Sequence, residues 1–161
     1  MRVVDFLEKF EADYTLEQGR PVFRAREVIN HRCLGGIDIA KAVVIRADGK
    51  KFMCVLPSCC TMDLTLVRNY LGARSVDYVD EREMRDLFPN CQTGAEPPFG
   101  ALYGFPTLMD ASLENDEYIA FQGETYDTAI VMRLAEYERL AGPRVFSFAC
   151  PAGAATEMAW R

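Results

Sequence analysis

One α+β domain with a mixed, strongly curved sheet is the fold class this sequence predicts, on three observations. Apolar runs of strand length and amphipathic runs of helix length intermingle along the chain without a strict βαβ rhythm. Two nearly continuous β-rich runs flank an Asp-Gly turn near residue 48, the signature of a hairpin in a sheet covered on both faces. No internal repeat or linker divides the 161 residues, a length that encloses a core without disulfides or metal. The expected organisation is a domain over residues 1–149 and a small, weakly patterned tail over residues 150–161, read as flexible.

In chain order, Val3, Val4, Phe6, Leu7 and Phe10 recur at helical spacing and predict an amphipathic helix over residues 3–12. Residues 14–21 are polar and broken, and residues 24–33 read as a second helix that carries His31 and stops before Gly35-Gly36. The hairpin pairs residues 41–46 with 51–56, and Lys41 opens its first arm, a long stem with a charged tip. Thr61 or Asp63 caps a helix over residues 64–71, which Gly72 ends. A short strand at residues 75–79 leads to Asp80, which with Glu83 forms a capping-box-like start to a helix ending at Pro89. Residues 103–109 read as an apolar strand terminating in Asp110, and residues 118–121 as another, closed by Gly123. Residues 127–141 read as a helix with Ile130, Val131, Leu134, Tyr137 and Leu140 on one face, and residues 145–149 as a last strand.

Composition narrows the function classes. A formal net charge of −6 leaves no overall positive field to grip a long duplex, so any nucleic-acid contact must be local. Six cysteines form no C-x-x-C pair and a single histidine, His31, cannot complete a zinc set, so neither metal nor cofactor is expected. The vicinal Cys59-Cys60 pair bridges only with backbone strain, and the cysteines are read as reduced thiols. The first ten residues lack the apolar core of a signal peptide and no run reaches membrane-spanning length, so a cytoplasmic protein with no membrane partner is expected.

Three features carry the chemistry. Lys41 supplies a cation. Residues 94–100, Gly-Ala-Glu-Pro-Pro-Phe-Gly, form a loop stiffened by Pro97 and Pro98, whose backbone N–H groups at Ala95, Glu96, Phe99 and Gly100 are expected to face a ligand. Asp110 adds a carboxylate at a strand end, so a cation, fixed donors and an acid can surround one polar ligand. No serine or cysteine has a histidine at a recognisable spacing, which argues against a nucleophilic triad.

Four segments in order, residues 40–44 (Ala-Lys-Ala-Val-Val), residues 63–64 with 71–73, residues 94–100 and residues 108–113 (Leu-Met-Asp-Ala-Ser-Leu), resemble the YbaK/EbsC family of aminoacyl-tRNA editing domains, which also occur inserted in prolyl-tRNA synthetases. The resemblance spans residues 14–149. It implies a barrel-like mixed sheet surrounded by helices and hydrolysis of the ester of mischarged aminoacyl-tRNA carrying a small amino acid of Cys, Ala, Ser or Thr type. It implies catalytic roles for Lys41, near the phosphate and ribose of the 3′-terminal adenosine, for Gly94, and for Asp110. Substrate contacts would come from Ala95, Glu96, Pro97, Pro98, Phe99 and Gly100. Aminoacyl esters are activated and carry a neighbouring ribose hydroxyl, so donors and position can replace a protein nucleophile. A synthetase is the further partner it implies, and a non-catalytic tRNA- or synthetase-binding adaptor is the alternative. Residues 18–25 depart from the family pattern: they lack a histidine that many relatives carry there, and Arg24 replaces a small hydroxyl residue.

Overall fold

The computed structural model describes residues 1–18, 33–34 and 37–151, the side chains of residues 33, 34, 37 and 38 excepted. The helix expected over residues 24–33, His31, the divergent segment from residue 19 onward and residues 152–161 of the tail lie outside the described residues. Among the described residues, eleven strands and four α-helices follow in the order α1 (Val3–Lys9), β1 (Tyr14–Gln18), β2 (Cys33–Leu34), β3 (Ile37–Ala47), β4 (Lys50–Pro57), β5 (Cys60–Met62), α2 (Leu64–Leu71), β6 (Val76–Tyr78), α3 (Glu81–Leu87), β7 (Thr107–Asp110), β8 (Tyr118–Gln122), β9 (Thr128–Arg133), α4 (Leu134–Ala141), β10 (Arg144–Phe146) and β11 (Ala149–Pro151).

Nine strands form one mixed sheet along the path β1-β9-β8-β3-β4-β7-β10, with β2 and β6 also on β3, while β11 pairs antiparallel with β5. The β3–β4 hairpin is its centre, registered from Ala40↔Pro57 to Ala47↔Lys50. Its turn follows from the sequence: Asp48 and Gly49 both adopt positive φ, 48° and 84°, the geometry that matches a hairpin's twist. Alternation of side chains across the pleat then feeds two cores. Ala40, Val44, Met53, Val55 and Met109 join Phe6, Phe99, Phe121 and Tyr137 on one face, whereas Ile45, Cys54, Leu56 and Leu108 join Val67 and Phe148 on the other. Both faces are covered, which is why the arms read as unbroken apolar runs.

The caps behave as their residue types require. Asp63, rather than Thr61, accepts from Thr65 N and Leu66 N at the start of α2, and Gly72 closes that helix at φ 66°. Asp80 accepts from Glu83 N at 2.8 Å, but Glu83 does not reach back; its carboxylate pairs instead with Arg46 and Lys51. Four other expectations are corrected. The helix over 127–141 is a strand, β9, followed by the shorter α4, because Thr128–Arg133 pairs with both β8 and β1. The broken polar stretch after residue 14 is the edge strand β1. Residues 100–102 form a 3-10 turn, so the strand before Asp110 begins only at Thr107. The last strand is two short ones, β10 and β11, with β11 reaching Pro151.

Candidate active site

Lys41 lies one residue inside the hairpin ladder, opposite Leu56, though it is the fifth residue of β3 rather than its first. Its flank of the sheet is unusual. Opposite β4, strand β3 pairs with β8 through Asp38 and Ile39 and with β6 through Ile45 to Ala47. A single further bond, Val79 N to Val44 O at 3.0 Å, marks the far side of the gap. Residues 40–43 have no strand on this flank among the described residues, so the sheet divides beside Lys41. The ammonium is partly buried and has neither an ion pair nor a hydrogen bond among the described residues. Desolvation holds its pKa below the ordinary lysine value, against a weaker upward pull from Cys60 and Cys59. The turn carrying those thiols is fastened to the start of β3 by Ser58 N donating to Ile39 O at 2.7 Å.

The loop of residues 94–100 is as rigid as its composition requires, but its donors are employed internally. Ala95 N donates to Gln92 O, Phe99 N to Pro97 O, each at 2.9 Å, and Gly100 N to Thr107 Oγ1 at 3.0 Å. Gly94 N donates to Glu96 Oε2 at 2.7 Å. The expected bank of ligand-facing N–H groups at Ala95, Phe99 and Gly100 is therefore corrected: prolines fix the path, but acceptors within and beside the loop, Gln92, Pro97 and Thr107, claim the amides. Burial pushes the Glu96 carboxyl above the usual range, against the stabilising amides of Gly94, Glu96 and Ala95. Pro98 O accepts from Tyr137 OH at 2.6 Å, and Phe99 packs among Phe6, Phe121 and Tyr137 at ring separations of 5.1–5.5 Å. Gly100 is required by close approach: a Cβ would meet Phe105 O at 2.5 Å and Thr107 Oγ1 at 2.6 Å. Gly94 is required by its φ of 93°.

Asp110 closes β7 and is 3 % exposed. Extending the parallel β4–β7 register by one step past Val55↔Met109 places it in the row of Leu56 and Lys41, two strands away, at the same end and on the same face of the sheet. Strand spacing makes that separation about 10 Å. Its oxygens are occupied: Oδ1 accepts from Phe148 N at 2.7 Å and Ala149 N at 2.8 Å, and Oδ2 from Ser112 N at 3.1 Å and from the Ser112 hydroxyl. Lys41 and Asp110 thus share one face. Phe99 at the loop's heart belongs to the opposite core, with Ala40 and Val55.

Glu124 is the residue the sequence reading missed. It turns the β8–β9 hairpin at φ 80°, receives Gln92 N at 2.8 Å and donates its own N–H to Ala95 O at 2.9 Å, so its backbone clamps the loop from both sides. Its side chain is 6 % exposed, and Oε1, 3.6 Å from Arg2 Nε, lacks a hydrogen bond among the described residues. Beside it, burial raises Cys91 to about 11 and raises the Tyr103 phenol further, the two side chains lying 3.7 Å apart. The signal was the pairing of β8 with β9, hidden while β9 read as helix. Among the described residues no helix is long and apolar enough to cross a membrane, and no group of His, Cys, Asp and Glu has the makings of a metal site.

Known proteins resemble this arrangement across nearly its whole length. The chain aligns with a multifunctional Ser/Thr-tRNA deacylase, ProXp-y, of Escherichia coli K12, at 24% identity over 91% of this chain and 90% of that one. A solved structure of a proposed trans-editing enzyme for prolyl-tRNA synthetase superposes with a TM-score of 0.75 at 20% identity, covering 91% of this chain and 94% of that one. A hypothetical protein, APE2540, superposes at 0.80 and 14% identity over 93% of this chain and all of the other. Residues 21–140 match the model of the aminoacyl-tRNA editing domain, and the chain belongs to that family of aminoacyl-tRNA deacylases.

Proposed function

We propose that this protein is a trans-editing deacylase that removes a small amino acid, of the Ser/Thr, Ala or Cys type, from mischarged tRNA. The observation that carries this reading is Lys41: a cation held partly out of water, without a partner among the described residues, where the sheet divides. A desolvated cation without a counter-charge is costly in a folded protein and binds an anionic group strongly.

In this reading the Lys41 ammonium takes the phosphate and ribose region of the 3′-terminal adenosine and fixes the ester beside it. Water, assisted by the neighbouring ribose hydroxyl, adds to the carbonyl carbon. The C–O bond to the ribose then breaks, the ribose oxygen takes the proton, and the free amino acid leaves. Gly94 and Glu96 belong to a loop whose Phe99 packs on the other face, so in this reading they meet the ester only through the opening where the sheet divides, and Pro97 to Gly100 hold them by their internal bonds. Asp110 supports the pocket by ordering residues 148 and 149 instead of touching substrate. The Ser/Thr specificity of the E. coli relative favours a hydroxyl-bearing amino acid, and the editing neighbour favours a synthetase as partner in the cytoplasm.

The test is hydrolysis of Ser-tRNA, Thr-tRNA, Ala-tRNA-Pro and Cys-tRNA-Pro by the wild-type protein. Release of one or more of these amino acids is the expected result. No release, with tRNA or a synthetase still retained, would replace the enzyme by a binding adaptor.

A further inference from the structure

We infer that the groove between α2 and β6 is a docking site for the phosphodiester backbone of the tRNA, separate from the Lys41 site; the inference rests on the editing reading for its partner. The groove, of about 290 Å3, is lined by Leu64, Thr65, Arg68, Arg74, Ser75 and Val76. Thr65, Arg68, Arg74 and Ser75 are all exposed, and neither arginine has an ion pair shorter than 4 Å to a carboxylate among the described residues. Two guanidinium groups and two hydroxyls along one groove match phosphate oxygens in charge and in hydrogen-bonding capacity.

A third cation joins them by register. Lys50 pairs with Ala47 and Ala47 with Val76, so the three share a row and a face, the one α2 covers. Lys51 and Arg46, the neighbouring row, turn to the opposite face and share the Glu83 carboxylate. Two nearby acids, Asp48 and Asp63, keep their formal charge, and Asp48 feels that of Arg74, so three cations face two carboxylates and the patch stays net positive by one. Asp48 turns its carboxylate onto Arg74 N and Ser75 N, at 3.0–3.1 Å, and so fixes the groove wall; Asp63 is spent on Thr65 N and Leu66 N. Asp77 pairs with Arg46 in register, on the far face.

Position supports the same occupant. Val76 lies opposite Ala47, six residues along β3 from Lys41, which at ~3.3 Å per residue places the groove about 20 Å from the reaction site. A tRNA whose unpaired 3′ end reaches Lys41 carries its acceptor stem over this distance. In a chain of net charge −6 such a local patch is the form a nucleic-acid contact must take.

The test measures binding of deacylated tRNA by fluorescence anisotropy between low and moderate salt, for wild type, the triple variant Lys50→Ala/Arg68→Ala/Arg74→Ala, and Arg85→Ala as a control on α3. The triple variant is expected to bind at least ten-fold more weakly, with a log–log salt slope shallower by roughly 2, whereas Arg85→Ala stays at the wild-type values. Hydrolysis of a 3′-aminoacyl adenosine, too short to reach the groove, should be unchanged in the triple variant. Wild-type affinity and slope in the triple variant would overturn the inference, as would loss of synthetase association with tRNA binding intact. If no aminoacyl ester is cleaved by wild type yet patch-dependent tRNA binding persists, the hydrolytic reading falls and the docking surface stands.

Discussion

Lys41 and Asp110 occupy the same end and face of one sheet, two strands apart, yet the chain treats them in opposite ways. Four hydrogen bonds reach the Asp110 carboxylate, three from backbone amides and one from the Ser112 hydroxyl. The Lys41 ammonium, desolvated enough to depress its pKa, donates none among the described residues. A buried polar group whose bonds are all made within the chain has no capacity left for a ligand. A cation with no partner among the described residues keeps that capacity, and the cost of its burial is recovered when an anion arrives. Residue type and position alone made the two look like equal members of one site; hydrogen-bond saturation separates them.

The sharpest test of that separation is Asp110→Ala. It strands the buried amide of Phe148 and releases Ala149 and Ser112, and should lower unfolding free energy by about 3 kcal/mol in urea titration; an effect below about 1 kcal/mol would mean that the latch is slack. The loop offers the next largest effect. Gly100→Ala drives a methyl into Phe105 O and Thr107 Oγ1 and should cost about 2 kcal/mol, read as a lower urea midpoint with unchanged m-value.

Lys41→Met should do the reverse, raising stability slightly, by less than about 1 kcal/mol, because it removes a desolvated charge while keeping the stem's packing. The sign follows from linkage. With the folded-state pKa depressed, the unfolded chain binds more protons near the ordinary lysine range, so wild type gains stability as pH rises there. The variant's advantage should thus be full near neutrality and shrink in thermal melts at alkaline pH. The smallest effect is at Glu96, whose pKa is raised. Below the unfolded carboxylate range its contribution is intact, and it is lost as pH rises through the folded value. Glu96→Gln keeps an acceptor for Gly94 N, so it should gain on wild type between pH 4 and pH 7; a difference independent of pH would show the carboxyl titrating normally.

The parts of this molecule legible in its sequence are those decided by near neighbours. The hairpin follows from β-branched runs around Asp48-Gly49, the helix starts from Asp63 and Asp80, and the loop's stiffness from Pro97-Pro98. What failed depended on distant partners. Ile130, Val131, Leu134 and Tyr137 fit a helical face as well as a strand running into a helix, and only pairing with Phe121 and Leu16 decides between them. Strand β1 is an exposed edge with no apolar alternation to announce it. Asp110 is claimed by the amides of residues 38 and 39 positions further along, and the loop amides, though bonded to Gln92, Pro97 and Thr107 nearby, are claimed only because the loop folds back on itself. Which polar groups remain free for a substrate is a property of the whole fold, and a local motif cannot state it.

Single-turnover deacylation of one mischarged tRNA by Lys41→Met and Asp110→Asn, assayed together where both variants are fully folded, decides between the two side chains. Lys41→Met should lose at least 100-fold in rate at unimpaired stability, while Asp110→Asn, which keeps an acceptor for the Phe148 amide, should stay within a few-fold of wild type. Collapse of Asp110→Asn beside a fully active Lys41→Met would contradict that separation.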